Sequence, residues 1–146
     1  MIIKQKSRLL LVLMVFTTSI IGLGDRFLFG DDDTFQPIFD GRSLEGWEGK
    51  SEFWRVEDGA IVGETTPDKP TQGNTFLFWR QGLVDDFELV LQYRLRNHNS
   101  GIQYRSKDFG DYVAGGYQGD IHDGKFAGIL YEERGPRGIM AKRGER

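Results

Sequence analysis

Between Phe87 and Arg96 the chain alternates in character. Phe87, Leu89, Leu91, Tyr93 and Leu95 fall on one side, and Glu88, Gln92, Arg94 and Arg96 on the other. A period of two puts successive side chains on opposite faces only if the backbone is extended, so this segment predicts a strand with one face on a core. After residue 34 no stretch keeps a helical period. Shorter strands are expected over 54–57, 60–64, 75–80, 101–106, 112–122 and 126–132. Turn residues separate them at Asp40-Gly41, 67–70, 97–100 and Asp123-Gly124, and Asp58-Gly59 predicts a two-residue hairpin turn. With 20 Gly and 13% aromatic residues, the composition fits short strands joined by tight turns. The expected fold class is all-β, a sandwich or jelly roll.

The N-terminus has a different character. Lys4, Lys6 and Arg8 precede an apolar run from Leu9 to Gly24, which ends in the small residues of Gly22-Leu23-Gly24. The run is shorter than the roughly 20 residues that a spanning helix needs. A basic start, a short apolar core and a small-residue exit form the signal-peptide pattern. Residues 1–24 are therefore expected to be an export signal, residues 25–34 an acidic linker around Asp31-Asp32-Asp33, and 35–146 the domain. A periplasmic or secreted product is expected, with no stable membrane insertion after cleavage. The chain has no Cys, which excludes disulfides and a lipidated-cysteine anchor. Removing residues 1–24 takes away three cations and no acid, so the formal charge moves from −3 to −6. An acidic domain with scattered charges is a poor partner for phosphate backbones, so no nucleic-acid binding is expected.

Three stretches carry candidate chemistry. In Gly101–Ser106, strand parity puts Gln103 and Arg105 on one face, where they can hydrogen-bond a hydroxylated ligand. In Gly115–Gly124, parity groups Gln118, Asp120 and His122. Asp120 and His122 can act as an acid/base couple, or supply two ligands to a divalent metal. The neighbouring glycines are expected to leave room for a ligand to approach the sheet. In Gly128–Gly135, Glu132 or Glu133 can join Asp120 as the second carboxylate that glycoside chemistry uses, and Tyr131 lies beside them. The parity of this last strand is open from sequence. The candidate catalytic residues are thus Asp120, His122 and Glu132, and the candidate substrate contacts are Gln103, Arg105, Gln118 and Tyr131. No cofactor is specified beyond a divalent metal held by His122 and Asp120. No nucleophile elbow, phosphate loop or dinucleotide fingerprint is present.

Five motifs in order resemble the 3-keto-disaccharide hydrolase family. They are Phe39-Asp40-Gly41-Arg42-Ser43-Leu44-Glu45-Gly46-Trp47, then Trp54 to Ile61, Asn99-Ser100-Gly101-Ile102, Gly116-Tyr117-Gln118 to Asp123, and Gly128-Ile129-Leu130-Tyr131. The resemblance runs from about residue 35 to the end. It implies a concanavalin-like jelly-roll β-sandwich with a concave sugar-binding sheet, and cleavage of glycosides already oxidised at C3. Family members often carry Glu or Gln where this chain has Gly119-Asp120. The family's carboxy-terminal strands would follow Arg146, so a C-terminally truncated fold is expected. Two functions are carried forward: an enzyme that cleaves 3-keto-glycosides by elimination or hydrolysis, and a lectin-like binding module without catalysis.

Overall fold

The computed structural model describes residues 1–5, 11–12 and 35–145. The strands are β1 (Ile2–Gln5), β2 (Leu11–Val12), β3 (Gln36–Pro37), β4 (Trp47–Glu48), β5 (Trp54–Glu57), β6 (Ala60–Gly63), β7 (Phe78–Trp79), β8 (Phe87–Val90), β9 (Asn99–Asp108), β10 (Ala114–His122), β11 (Leu130–Glu133) and β12 (Ile139–Ala141). No helix occurs among the described residues, so the all-β expectation is met. None of their segments is a helix long and apolar enough to cross a membrane. Apart from Leu11–Val12, the apolar run 9–24 and the acidic linker 25–34 lie outside the described residues.

The chain divides into two compact units. The first comprises residues 1–47, 54–64 and 79–92. Here β1 pairs antiparallel with β8, Ile2 opposite Val90 and Gln5 opposite Phe87. The expected ten-residue strand from Phe87 is therefore four residues long, because its pairing with β1 covers only Phe87–Val90. Alternation marks a buried side, but a ladder partner decides where a strand ends. Ile38 sits at the centre of this unit's core, packed by Phe87, Leu89, Trp47 and Trp79. The Trp47 indole N–H donates to the Ile38 carbonyl at 2.6 Å.

Much of the opening motif makes turns in this unit. Asp40 Oδ1 accepts the N–H groups of Arg42 and Ser43, both at 2.8 Å. The Ser43 and then the Arg42 amide hold the Asp40 carboxyl below its ordinary range. The Gly46 carbonyl accepts the Arg80 N–H at 2.8 Å. The expected hairpin also forms: β5 and β6 pair from Trp54–Gly63 to Glu57–Ala60 around Asp58 (φ 51°) and Gly59 (φ 75°). Positive φ at both turn residues matches the right-handed twist of the strands it joins.

The second unit, residues 48–53, 65–78 and 93–146, contains a four-stranded antiparallel meander in the order β12-β11-β10-β9. Phe53, Ala114, Ile121 and Ile129 are buried in it. β9 is longer than the expected 101–106, and β12 adds an edge strand that the sequence analysis did not anticipate. The site residues lie on this sheet.

Candidate functional site

The register of β9 and β10 decides which side chains share a face. Gln103 stands opposite Gln118, Gly101 opposite Asp120 and Asn99 opposite His122. Directly opposed residues project from the same face of a pleated sheet. Gln103, Gln118, Asp120 and His122 therefore lie on one face, as parity predicts.

Three of the four are joined. Gln103 Nε2 donates to Gln118 Oε1 at 2.8 Å, and Gln118 Nε2 donates to Asp120 Oδ1 at 2.6 Å. Ser106 Oγ lies 3.0 Å from Gln103 Oε1 and 3.1 Å from the Tyr104 carbonyl, and its one proton can go to either. Gln118 is only 7% exposed, so its amide is a buried polar group satisfied at both ends. Gly101 makes this arrangement possible: a Cβ there would stand 2.6 Å from both Cγ and Cδ of Gln118.

Arg105 does not follow parity. The ladder slips between Gly115 and Tyr117, so Arg105 and Ser106 together oppose the single residue Gly116. Arg105 takes φ 47° in this bulge, and Ser106, one residue on, reaches Gln103 in its place. A bulge shifts alternation by one residue, so parity counted from Gln103 misplaces everything beyond it. The glycines need a similar correction. A Cβ on Gly116 (φ 152°) would stand 2.8 Å from Ser106 Cα, and one on Gly115 would stand 2.8 Å from the Phe109 ring. Their space is filled by the protein itself. Of Gly115, Gly116 and Gly119, only Gly119 has nothing within 4 Å of a Cβ, and it faces the side opposite Asp120.

β11 resolves the parity left open by sequence. Tyr131 stands opposite Gln118, and Glu132 opposite Tyr117. Tyr131 and Glu133 thus share the Asp120 face, while Glu132 is on the other. The pairing of Glu132 with Asp120 as two carboxylates of one face is corrected accordingly. Glu132 Oε2 accepts the Arg137 N–H at 2.9 Å, and Oε1 is ion-paired with the Arg137 guanidinium. These bonds to Arg137 hold the Glu132 carboxyl below its ordinary range. Glu132 and then Tyr117 raise the Arg137 guanidinium pKa in turn. Glu132 clamps the loop between β11 and β12. Glu133 Oε2 accepts from Asn74 Nδ2 at 3.0 Å.

His122 is fixed from its own turn. The Gly124 N–H donates to His122 Nδ1 at 2.8 Å, and the ring meets Phe126 edge-on at 5.3 Å. Nδ1 also lies 3.2 Å from Asp123 Oδ1, with which it pairs only when protonated; as an acceptor from Gly124 it leaves the proton of the neutral ring on Nε2. The donor set does not fit a resident metal. His122 Nδ1 is already occupied, and among the described residues no three His, Cys, Asp or Glu side chains cluster as ligands.

Ser106, Gly101, Arg137 and Asn74 were not singled out from the sequence. The consecutive glycines Gly115-Gly116 were the available signal for the bulge that brings in Ser106. Nothing local to residues 130–138 announces that Arg137 returns to Glu132.

Residues 34–145 match the family model described as the 3-keto-alpha-glucoside-1,2-lyase-like domain. Neither the curated proteins nor the solved structures compared with the chain gave a match.

Proposed function

The chain belongs to the 3-keto-alpha-glucoside-1,2-lyase-like domain family, and from that premise we propose that it cleaves 3-keto-glycosides with Asp120 as the base. The observation that carries this is the hydrogen-bonded row Gln103–Gln118–Asp120 on one sheet face. A ketone at C3 of the sugar acidifies the hydrogen on C2. Asp120 takes that proton, the C2–H electron pair becomes the C1=C2 double bond, and the C1–O bond breaks to release the aglycone. Adding water across C1=C2 afterwards gives the hydrolysis product. This route avoids an oxocarbenium ion, so it does not need the carboxylate pair of ordinary glycosidases. It needs one base near C2, a proton donor to the leaving oxygen, and donors toward the enolate oxygen. In this reading the imidazolium form of His122, its Nδ1–H toward Asp123 Oδ1 at 3.2 Å, supplies the proton from Nε2–H to the leaving oxygen, and Tyr131 and Gln103 contact the sugar.

The alternative is a lectin-like module that binds the sugar on the same face without turnover. The full chain is to be assayed with an aryl 3-keto-glucoside and the matching unoxidised glucoside. Aglycone release from the first alone supports the enzyme. Binding of both without release supports the module. Export is part of the same proposal, and cleavage near Gly24 would take away β1, the partner of β8 in this structure. The export reading rests on Lys4, Lys6 and Arg8 before the apolar run 9–24. N-terminal sequencing of the expressed product should find a start near Asp25, and an intact Met1 on membrane-bound protein would overturn it.

A further inference from the structure

We infer that Gln118 is a positioning residue that sets the orientation of Asp120, and not a sugar contact. The inference rests on the use of Asp120 as the base. At 7% exposure Gln118 offers little surface to a ligand. Both ends of its amide are engaged, Oε1 by Gln103 and Nε2 by Asp120. The row has one direction. Ser106 Oγ can donate to Gln103, Gln103 Nε2 donates to Gln118, and Gln118 Nε2 donates to Asp120. A carboxylate only accepts, so this direction fixes the amide orientation of both glutamines. Chained donors polarise one another and strengthen the last bond.

The consequence falls on the two oxygens of Asp120. Oδ1 is tied to the amide, which leaves Oδ2 as the oxygen to receive the C2 proton. The tether is neutral, so it orients the base without pairing its charge with a cation. Gly101 belongs to the same device, because a methyl there would push Gln118 off its line. The site thus works only when a residue lacking a side chain stands across the ladder from Asp120.

The test is steady-state kinetics of the full chain on an aryl 3-keto-glucoside, with melting temperatures as the fold control. Gln118→Leu should lower kcat by about 10²-fold, the typical effect of misplacing a reacting group by ~1 Å, with KM nearly unchanged. The double variant Gln118→Leu/Asp120→Asn should be no slower than Asp120→Asn alone, because groups acting as one unit are not additive. Gly101→Ala alters no polar group and should reproduce the kcat loss by displacement alone. Ser106→Ala, at an exposed position, should give a smaller kcat loss with KM unchanged, and it carries the test if the buried variants fail to fold. A raised KM at unchanged kcat in Gln118→Leu would overturn the inference and make Gln118 a sugar contact. So would multiplicative losses in the double variant, or full activity in Gly101→Ala. Wild-type rates in Asp120→Asn would instead remove Asp120 as the base, whatever Gln118 does.

Discussion

Two carboxylates, Asp120 on β10 and Glu132 on β11, stand on opposite faces of one sheet and are held in opposite ways. Asp120 accepts from a neutral amide that is buried and itself part of a row of donors. Glu132 is bonded by the backbone and guanidinium of Arg137, whose charge lies over the Tyr117 ring at 5.3 Å. A neutral donor orients a carboxylate and leaves it able to take a proton. A cation in contact stabilises the ionised form and withdraws the group from proton transfer. The same residue chemistry is thus oriented by a neutral amide on one face and holds a loop through a cation on the other. Tyr104 and Tyr117 pack 5.8 Å apart on the Glu132 face, and burial raises the Tyr104 hydroxyl pKa further from any role in acid chemistry.

The largest expected effect separates the faces most sharply. Asp120→Asn should lower turnover of a 3-keto-glucoside by about 10²–10⁴-fold, the usual worth of a positioned base. Substrate binding, measured by calorimetry, and the melting temperature should stay close to wild type. Unfolding would instead make Asp120 a structural partner of Gln118.

Next comes the bulge that sets both faces in register. Gly116→Ala should destabilise by about 1–3 kcal/mol from backbone strain alone at φ 152°, before its clash with Ser106 is counted. A thermal melt within a degree of wild type would show that the slip at Gly115–Tyr117 is not required.

Glu132→Gln should leave turnover unchanged and lower the melting temperature at neutral pH. The sign with pH follows from the direction of its shift. A carboxyl whose folded pKa lies below its ordinary 4.5 contributes stability above that value and loses it as pH falls through the folded pKa. The gap between wild type and variant should therefore be full at pH 7 and close in acid below about 4.5. A gap that widened in acid would contradict the clamp, and a large loss of turnover would return Glu132 to the active site.

The smallest effect is expected at Gly119→Ala, which puts a methyl into open space on the Glu132 face. Stability should hold or rise by up to ~1 kcal/mol, since Gly weakens a strand interior, and activity should not change. Lost activity there would mean that substrate also uses that face.

How much of this was legible depends on whether the signal was local. Asp58-Gly59 carried its own turn, and Gln103, Gln118 and Asp120 were placed correctly because each run keeps simple alternation. Arg105 was not, because an arginine at positive φ gives no compositional sign of a bulge; the sign sat across the ladder, in Gly115-Gly116. Glu132 was ambiguous because the face of β11 depends on its pairing with β10, which residues 126–135 do not encode alone. The length of β8 failed for the same reason: it is a property of the pair β1–β8.

The bulge at Arg105 and Ser106 also acts on β9 as a half-cycle phase slip in a two-residue wave. Upstream of it, odd-numbered positions such as Gln103 carry the Asp120 face; at Ser106 the even-numbered ones take over. A polar row can therefore run past the slip, although no single alternating pattern in the sequence spans it. Deleting Arg105 would restore a smooth ladder and, in the same stroke, return Ser106 to plain alternation two places after Gln103, opposite Gly116 and on the Asp120 face, with Lys107 and Asp108 keeping Gly115 and Ala114 as partners.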